Sequence, residues 1–399
     1  MAFDVASVRG LFPALGDGWV HLDAPTGMLV PEPVAAAVAT ALRAPVSAPG
    51  GVFPASQRAE AIVDAARRAV AELVGAEPAG VVLGPSVAVL IARLAESLGE
   101  GWLLGDEVIV SRLDNPSNIT PWLRAAQRCG ATARWAEIDI ETCELPAWQY
   151  EELISRRTKV VAVTAASGTV GARPDLAPIM ERAADHGALR VVDASAAAPY
   201  LPLDMTALGA DVLLVSASAW GGPPVAAMVF RQPTLLDRMP SCSLEPLARG
   251  PERLELGPHP YSLLAGLVAS VEYLAGLDDA SVGSRRERLL TSLSSVKAYQ
   301  AGLLVHLLNE LRALRHIMVI GDSMRRVPTM AFTVGGVKAH DVVEHLASLG
   351  VCAFADAGHH GVLGALGIGE VGGAVRVGLA HYTNTVELNQ LVRAVESLG

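Results

Sequence analysis

Arg376 stands alone among apolar residues in Val375-Arg-Val-Gly-Leu379. A guanidinium in such a run needs an anion beside it, either a ligand carboxylate or a structural Asp or Glu. Asp193 closes an equally apolar run, Arg190-Val-Val-Asp193. Its carboxylate at the carboxyl end of a parallel strand would face a ligand crevice, or else cap nearby backbone amides. Gly84-Pro-Ser86 joins an apolar run to an apolar helical pattern. Backbone N–H groups and a helix dipole at such a junction suit a phosphate, and the Ser86 hydroxyl would add a donor or serve as a plain N-cap. Ser216 and Ser218 put two hydroxyls after another apolar run, Asp211-Val-Leu-Leu-Val215. His259 is either a donor or a surface-loop histidine, and Asn115-Pro116 reads as a turn. His359 and His360 are adjacent, but neighbours in extended chain point apart and no third ligand is evident, so no metal site is expected.

These residues need a scaffold, and the patterning supplies one. Helical and strand signals alternate from about residue 57 to 230, the signature of an α/β unit with a mostly parallel sheet. Strands are expected at 81–83, 107–111, 132–135, 159–164, 189–192, 211–215 and 225–230. Helices are expected at 56–74, 87–98, 117–128, 148–155 and 176–186. A Pro-rich stretch, 232–260, then leads into long helices near 262–277 and 286–314. The remainder alternates again, with strands at 318–320, 329–334, 351–354 and 374–378 and helices at 339–349 and 385–398. The expected division is an N-terminal arm over 1–30, a large α/β domain over 31–285, and a connecting helix with a smaller α+β domain over 286–399. The arm packs on the body or on a partner subunit.

A chain of 399 residues that is 51% hydrophobic has ample material for a buried core. Its net charge of −10 speaks against nucleic acid as a partner. The apolar runs are too short and interrupted to cross a membrane, and the first residues show no secretory pattern. Cys129, Cys143, Cys242 and Cys352 form no Cys-x-x-Cys pair or disulfide framework, which suits the reducing cytoplasm.

Several blocks resemble the class V aminotransferase family, the fold type I pyridoxal-phosphate (PLP) proteins that include the cysteine desulfurases. His21-Leu-Asp-Ala24, Asp106-Glu-Val-Ile-Val110, Asn118-Ile-Thr-Pro-Trp122, Val191-Val-Asp193, Leu254-Glu-Leu-Gly257, Ala357-Gly-His-His360 and Val375-Arg-Val-Gly-Leu-Ala-His-Tyr382 match family blocks in order. The resemblance implies a PLP-transferase fold, an active site at a homodimer interface, and roles for particular residues. Asp193 would face the pyridine nitrogen. Ser86, Ser216, Ser218 and His259 would lie near the cofactor, and Arg376 with His359 and His360 near a substrate carboxylate.

The same alignment shows departures. The family loop Ser-x-His-Lys-x-x-Gly-Pro sets Gly222-Pro223 on its Gly-Pro, which places Ala219 at the Schiff-base Lys and Ser218 at the His. Asn115 stands at the ring-stacking His, where an amide cannot move protons near neutral pH. Pro258 takes the place of a phosphate-binding Thr. Asp356 and Gly361 take the places of the Arg and the nucleophilic Cys in the desulfurase loop. Only Lys159, Lys297 and Lys338 exist to replace the missing amine, and their positions in the patterning put none at the crevice. PLP is therefore expected to bind non-covalently or not at all. The expectation is a family member that has lost lysine-dependent catalysis and binds a small carboxylate, an amino acid or a protein partner. The alternative is an enzyme that holds PLP without a covalent link and performs C–S lyase or transferase chemistry on an amino acid.

Overall fold

The computed structural model describes residues 3–399. Its strands are β1 Val20–His21, β2 Val81–Gly84, β3 Glu107–Ser111, β4 Thr132–Ala136, β5 Thr158–Thr164, β6 Leu189–Asp193, β7 Val212–Ser216, β8 Ala226–Phe230, β9 Ile317–Ile320, β10 Thr329–Val334, β11 Val351–Cys352, β12 Phe354–Asp356 and β13 Ala374–Gly378. The central sheet has the order β2-β8-β7-β6-β5-β3-β4. Its strands run parallel from β4 to β7, and β8 is antiparallel to both β7 and β2.

Both faces of this sheet are covered, which is why its strands read as nearly continuous apolar runs. In β5, Val161 and Val163 join one core while Val160 and Ala162 join the other. The helices Pro54–Val74, Leu176–Asp185 and Tyr261–Ala275 cover the first face; Val87–Gly99 and Thr120–Cys129 cover the second. A second, antiparallel sheet of order β12-β13-β10-β9 carries a third core. It packs against the helices Ala339–Ser348, Thr385–Glu396 and the second half of Arg285–Ala313. That last helix has 29 residues and starts in a capping box formed by Ser284 and Glu287. Among the described residues, no helix is long and apolar enough to cross a membrane.

Most expected elements occur within a few residues of their predicted bounds, with informative departures. The expected strand 351–354 divides at Ala353: β11 pairs with β1, whereas β12 turns to β13. The expected helix 117–128 starts at Thr120, because Pro116–Asn118 forms a separate 3-10 turn. The expected helix 148–155 contracts to Tyr150–Leu153. The helix Glu32–Arg43 and the short helix Gly361–Ala365 went unforeseen. The N-terminal arm packs on the body: Phe12 meets Tyr273 and Tyr382 edge-on, and Arg9 donates to Glu387 and to the Tyr382 carbonyl.

Candidate functional site

The carboxyl ends of β5, β6 and β7, with the loop that follows β3, open onto a cavity of about 300 Å³. Ligands bind at this edge of open parallel sheets. Asp193, the last residue of β6, lies at the cavity wall and is 5% exposed. Its Oδ1 accepts from the Ser195 amide at 2.9 Å. Burial raises its pKa, against the opposing hydrogen bond from the Ser195 amide. This carboxylate thus lines the cavity and also caps a backbone amide.

A second carboxyl lies behind it. Asp114 is 3% exposed; its Oδ1 accepts from Asn118 Nδ2 at 2.6 Å, and its Oδ2 accepts from the Ser111 hydroxyl. Asn118 Oδ1 in turn accepts from Trp122 Nε1 at 3.2 Å. Burial pushes Asp114 up to about 7, the Ser111 and Asn118 hydrogen bonds oppose this, and the nearby Asp193 charge adds to it. Two buried carboxyls this close do not readily ionise together. Negative charge on Asp193 is thus favoured when Asp114 keeps its proton.

The opposite wall comes from the turn Ala217–Trp220, which follows β7. Trp220 is fully buried and donates from Nε1 to the Ser270 hydroxyl at 3.0 Å. Gly221 adopts φ +87, and a Cβ there would lie 2.6 Å from the Leu29 carbonyl oxygen. These constraints leave the Ala219 methyl lining the cavity beside the hydroxyls of Ser216 and Ser218, which are 3.0 Å apart. Ser86 and Asn115 line the same cavity. Ser86 N-caps Val87–Gly99, accepting from the Val89 amide at 3.3 Å. Asn115 Oδ1 accepts from the Ser117 amide and hydroxyl, as its turn reading anticipated.

Other candidates lie elsewhere. His259 Nε2 is 3.1 Å from Glu255 Oε2, in a separate pocket with Pro85 and Arg93. His359, His360 and Gly361 line another pocket, of about 710 Å³, with Arg112, Trp135 and Glu137. Arg376 does not line the main cavity; its Nη1 donates to Asp356 Oδ2 at 3.2 Å across β12 and β13. Of its two readings, this geometry supports the structural acid. The lysines are remote too. Lys159 pairs with Asp106, Lys297 lies on the helix Arg285–Ala313, and Lys338 precedes Ala339–Ser348. Among the described residues, no three His, Cys, Asp or Glu are grouped to hold a metal ion.

Sequence reasoning missed several participants. Pro25, Thr26 and Gly27 cover the cavity, held by the Met28 amide, which donates to the Ser218 carbonyl at 3.2 Å. Thr164 and Ser195 also line it. Thr164 had a usable signal, a polar residue ending an apolar strand. Asp114 had none, because its neighbours in space come from several chain segments.

The cavity's donor set admits a phosphorylated pyridine held without a covalent bond. It offers a buried carboxylate at one side, and helix-terminal amides with the hydroxyls of Ser86, Ser216 and Ser218 elsewhere. The Ala219 methyl lines the cavity wall, and no lysine is among the residues that line it.

Comparison with known proteins agrees with this architecture. Residues 20–391 match the family described as Aminotransferase class-V. The chain is 54% identical to an uncharacterized protein of Mycobacterium tuberculosis, over 100% of both chains. It is 28% identical to a cysteine desulfurase of Klebsiella pneumoniae, covering 100% of this chain and 99% of that one. The crystal structure of the cysteine desulfurase CsdA from Escherichia coli superposes with a TM-score of 0.85 at 26% identity, covering 100% and 98% of the two chains.

Proposed function

The chain belongs to the class V aminotransferase family, and from that premise we propose that it is a non-catalytic member which binds a pyridoxal-phosphate-type ligand non-covalently. The observation that carries this reading is the Ala219 methyl in the cavity wall with no lysine beside it. Bound PLP supplies an electron sink to its substrates when a base and a covalent anchor accompany it. This chain offers neither. Asn115 is an amide, and Ala219 cannot form the link. Asp193 would hold the pyridine nitrogen, with Asp114 keeping its proton so that the negative charge resides on Asp193. Ser86, Ser216, Ser218 and the first amides of Val87–Gly99 would hold the phosphate. A small carboxylate or amino acid is accommodated beside that ligand only without help from Arg376, which Asp356 already engages. The same reading carries a homodimer, as in the family.

The test is spectroscopic. Purified protein mixed with PLP should give saturable binding by calorimetry, an absorbance spectrum of free PLP, and no mass increase after borohydride reduction. A borohydride-stable adduct on the native chain would overturn the proposal, as would an absence of binding. The variant Ala219→Lys should acquire a reducible covalent link to PLP and still produce no persulfide from cysteine, because position 361 lacks a thiol.

A further inference from the structure

A second cavity, of about 320 Å³, lies between the helix Arg285–Ala313 and the segment 322–328, and it shares no lining residue with the first. One stripe of the helix, through Gln300, Leu304 and Leu308, forms an apolar wall. Val305 and Met324 on its rim are 58% and 92% exposed.

Two polar groups interrupt this wall. The Gln300 side chain is 1% exposed, yet neither its Nε2 nor its Oε1 has a hydrogen-bond partner. A buried amide left in that condition is destabilising unless a ligand or solvent satisfies it. Arg326 donates from Nη2 to the carbonyl oxygens of Val170 and Thr329, but its Nε is buried and unpartnered, and no carboxylate pairs with it among the described residues. Lys297 and Arg312 also line the cavity, and only Arg312 has an acid, Asp322. Three cations therefore face one carboxylate.

We propose that this cavity binds a small apolar monocarboxylic acid. Its hydrocarbon would lie on Leu304, Val305 and Leu308, and its carboxylate would accept from Gln300 Nε2 and the Arg326 guanidinium. Lys297 lies one helical turn from Gln300 on the same helix. The cavity, of about 320 Å³, has room for a short hydrocarbon chain with its carboxylate. Octanoate is such an acid.

The experiment is a calorimetric titration of octanoate into the full-length protein, with octanol as the neutral control. One-to-one binding is expected with a Kd below about 1 mM. Octanol should bind at least about tenfold more weakly, the loss expected for one charge-assisted contact. PLP should not compete, so the result is independent of the function proposed for the first cavity. Gln300→Leu should weaken octanoate about tenfold or more while its melting temperature holds or rises, which separates lost recognition from lost folding. Lys297→Ala should weaken it by a smaller factor. Equal binding of octanol and octanoate would reduce the site to an apolar patch and overturn the proposal. So would unchanged affinity in Gln300→Leu, or no saturable binding. If Met324→Asp turns an assembly into monomers and octanoate leaves assembly unchanged, a second copy of the chain is the occupant instead.

Discussion

Asp114 is the residue on which the charge state of the main cavity turns. Its folded-state pKa, about 7, lies above the ordinary carboxyl value of 3.8. The folded protein therefore holds a proton that the unfolded chain releases, and stability falls as pH rises between about 4 and 7. The slope is about 1.4 kcal/mol per pH unit, flattening above pH 7. Asp114→Asn should remove this term. Its melting temperature relative to the native chain should be more favourable at pH 8 than at pH 5, measured by thermal unfolding at both. Asp193→Asn has a different expected outcome: folding retained, and PLP affinity reduced about tenfold or more through loss of a charge-assisted contact. Asp193 was legible in the sequence because an acid ending an apolar strand is conspicuous. Asp114 was not, because its shift comes first from burial, which only the folded chain creates, and then from the charge of Asp193, far away along the chain.

At the scale of elements, the turn Ala217–Trp220 is fixed on three sides. Trp220 is anchored to Ser270, the Ser218 carbonyl to Met28, and Gly221 sits against Leu29. Gly221→Ala would place a methyl group at positive φ and against a backbone oxygen. A loss of about 1–3 kcal/mol in chemical-denaturation stability is expected, with weaker PLP binding as the wall shifts. The central strands were legible because burial on both faces makes them short, uninterrupted apolar runs. The break at Ala353 was not, because strand partners are decided by the whole sheet and β11 and β12 have different ones. The 3-10 turn before Thr120 was equally hidden, since Pro116 and Pro121 both suit a helix start.

At the scale of the whole molecule, His381, just past β13 of the smaller sheet, is tied to Pro199, just past β6 of the central sheet. The His381 ring, fully buried, donates from Nε2 to the Pro199 carbonyl at 2.7 Å, and its Nδ1 accepts from the Tyr273 hydroxyl at 3.0 Å. Burial lowers its pKa from 6.5 to about 4. The unfolded chain takes up a proton on this residue below pH 6.5 while the folded chain does not, so stability falls as pH drops from 6.5 to 4. His381→Gln keeps a donor for Pro199 and removes this contribution, so its denaturant midpoint relative to the native chain should be more favourable at pH 4 than at pH 7. The arm closes the same junction. Phe12→Ala should cost about 3–5 kcal/mol, read as a lower thermal midpoint. The division into a parallel-sheet unit and a smaller sheet was readable from the changing periodicity. The arm's route over the cavity was not, because a short irregular segment carries no period.

The tie between Asp356 and Arg376 has a bearing on mutational history. If Arg376 once received a ligand's carboxylate, an acid on the neighbouring strand now satisfies it from within the chain. Reversal would then be order-dependent. Variants at position 219 alone should regain cofactor capture without substrate recognition, and variants at 376 alone should only leave a half-buried acid unpaired. A functional path would have to vacate position 356 first, so single-substitution libraries would miss it and paired libraries would find it.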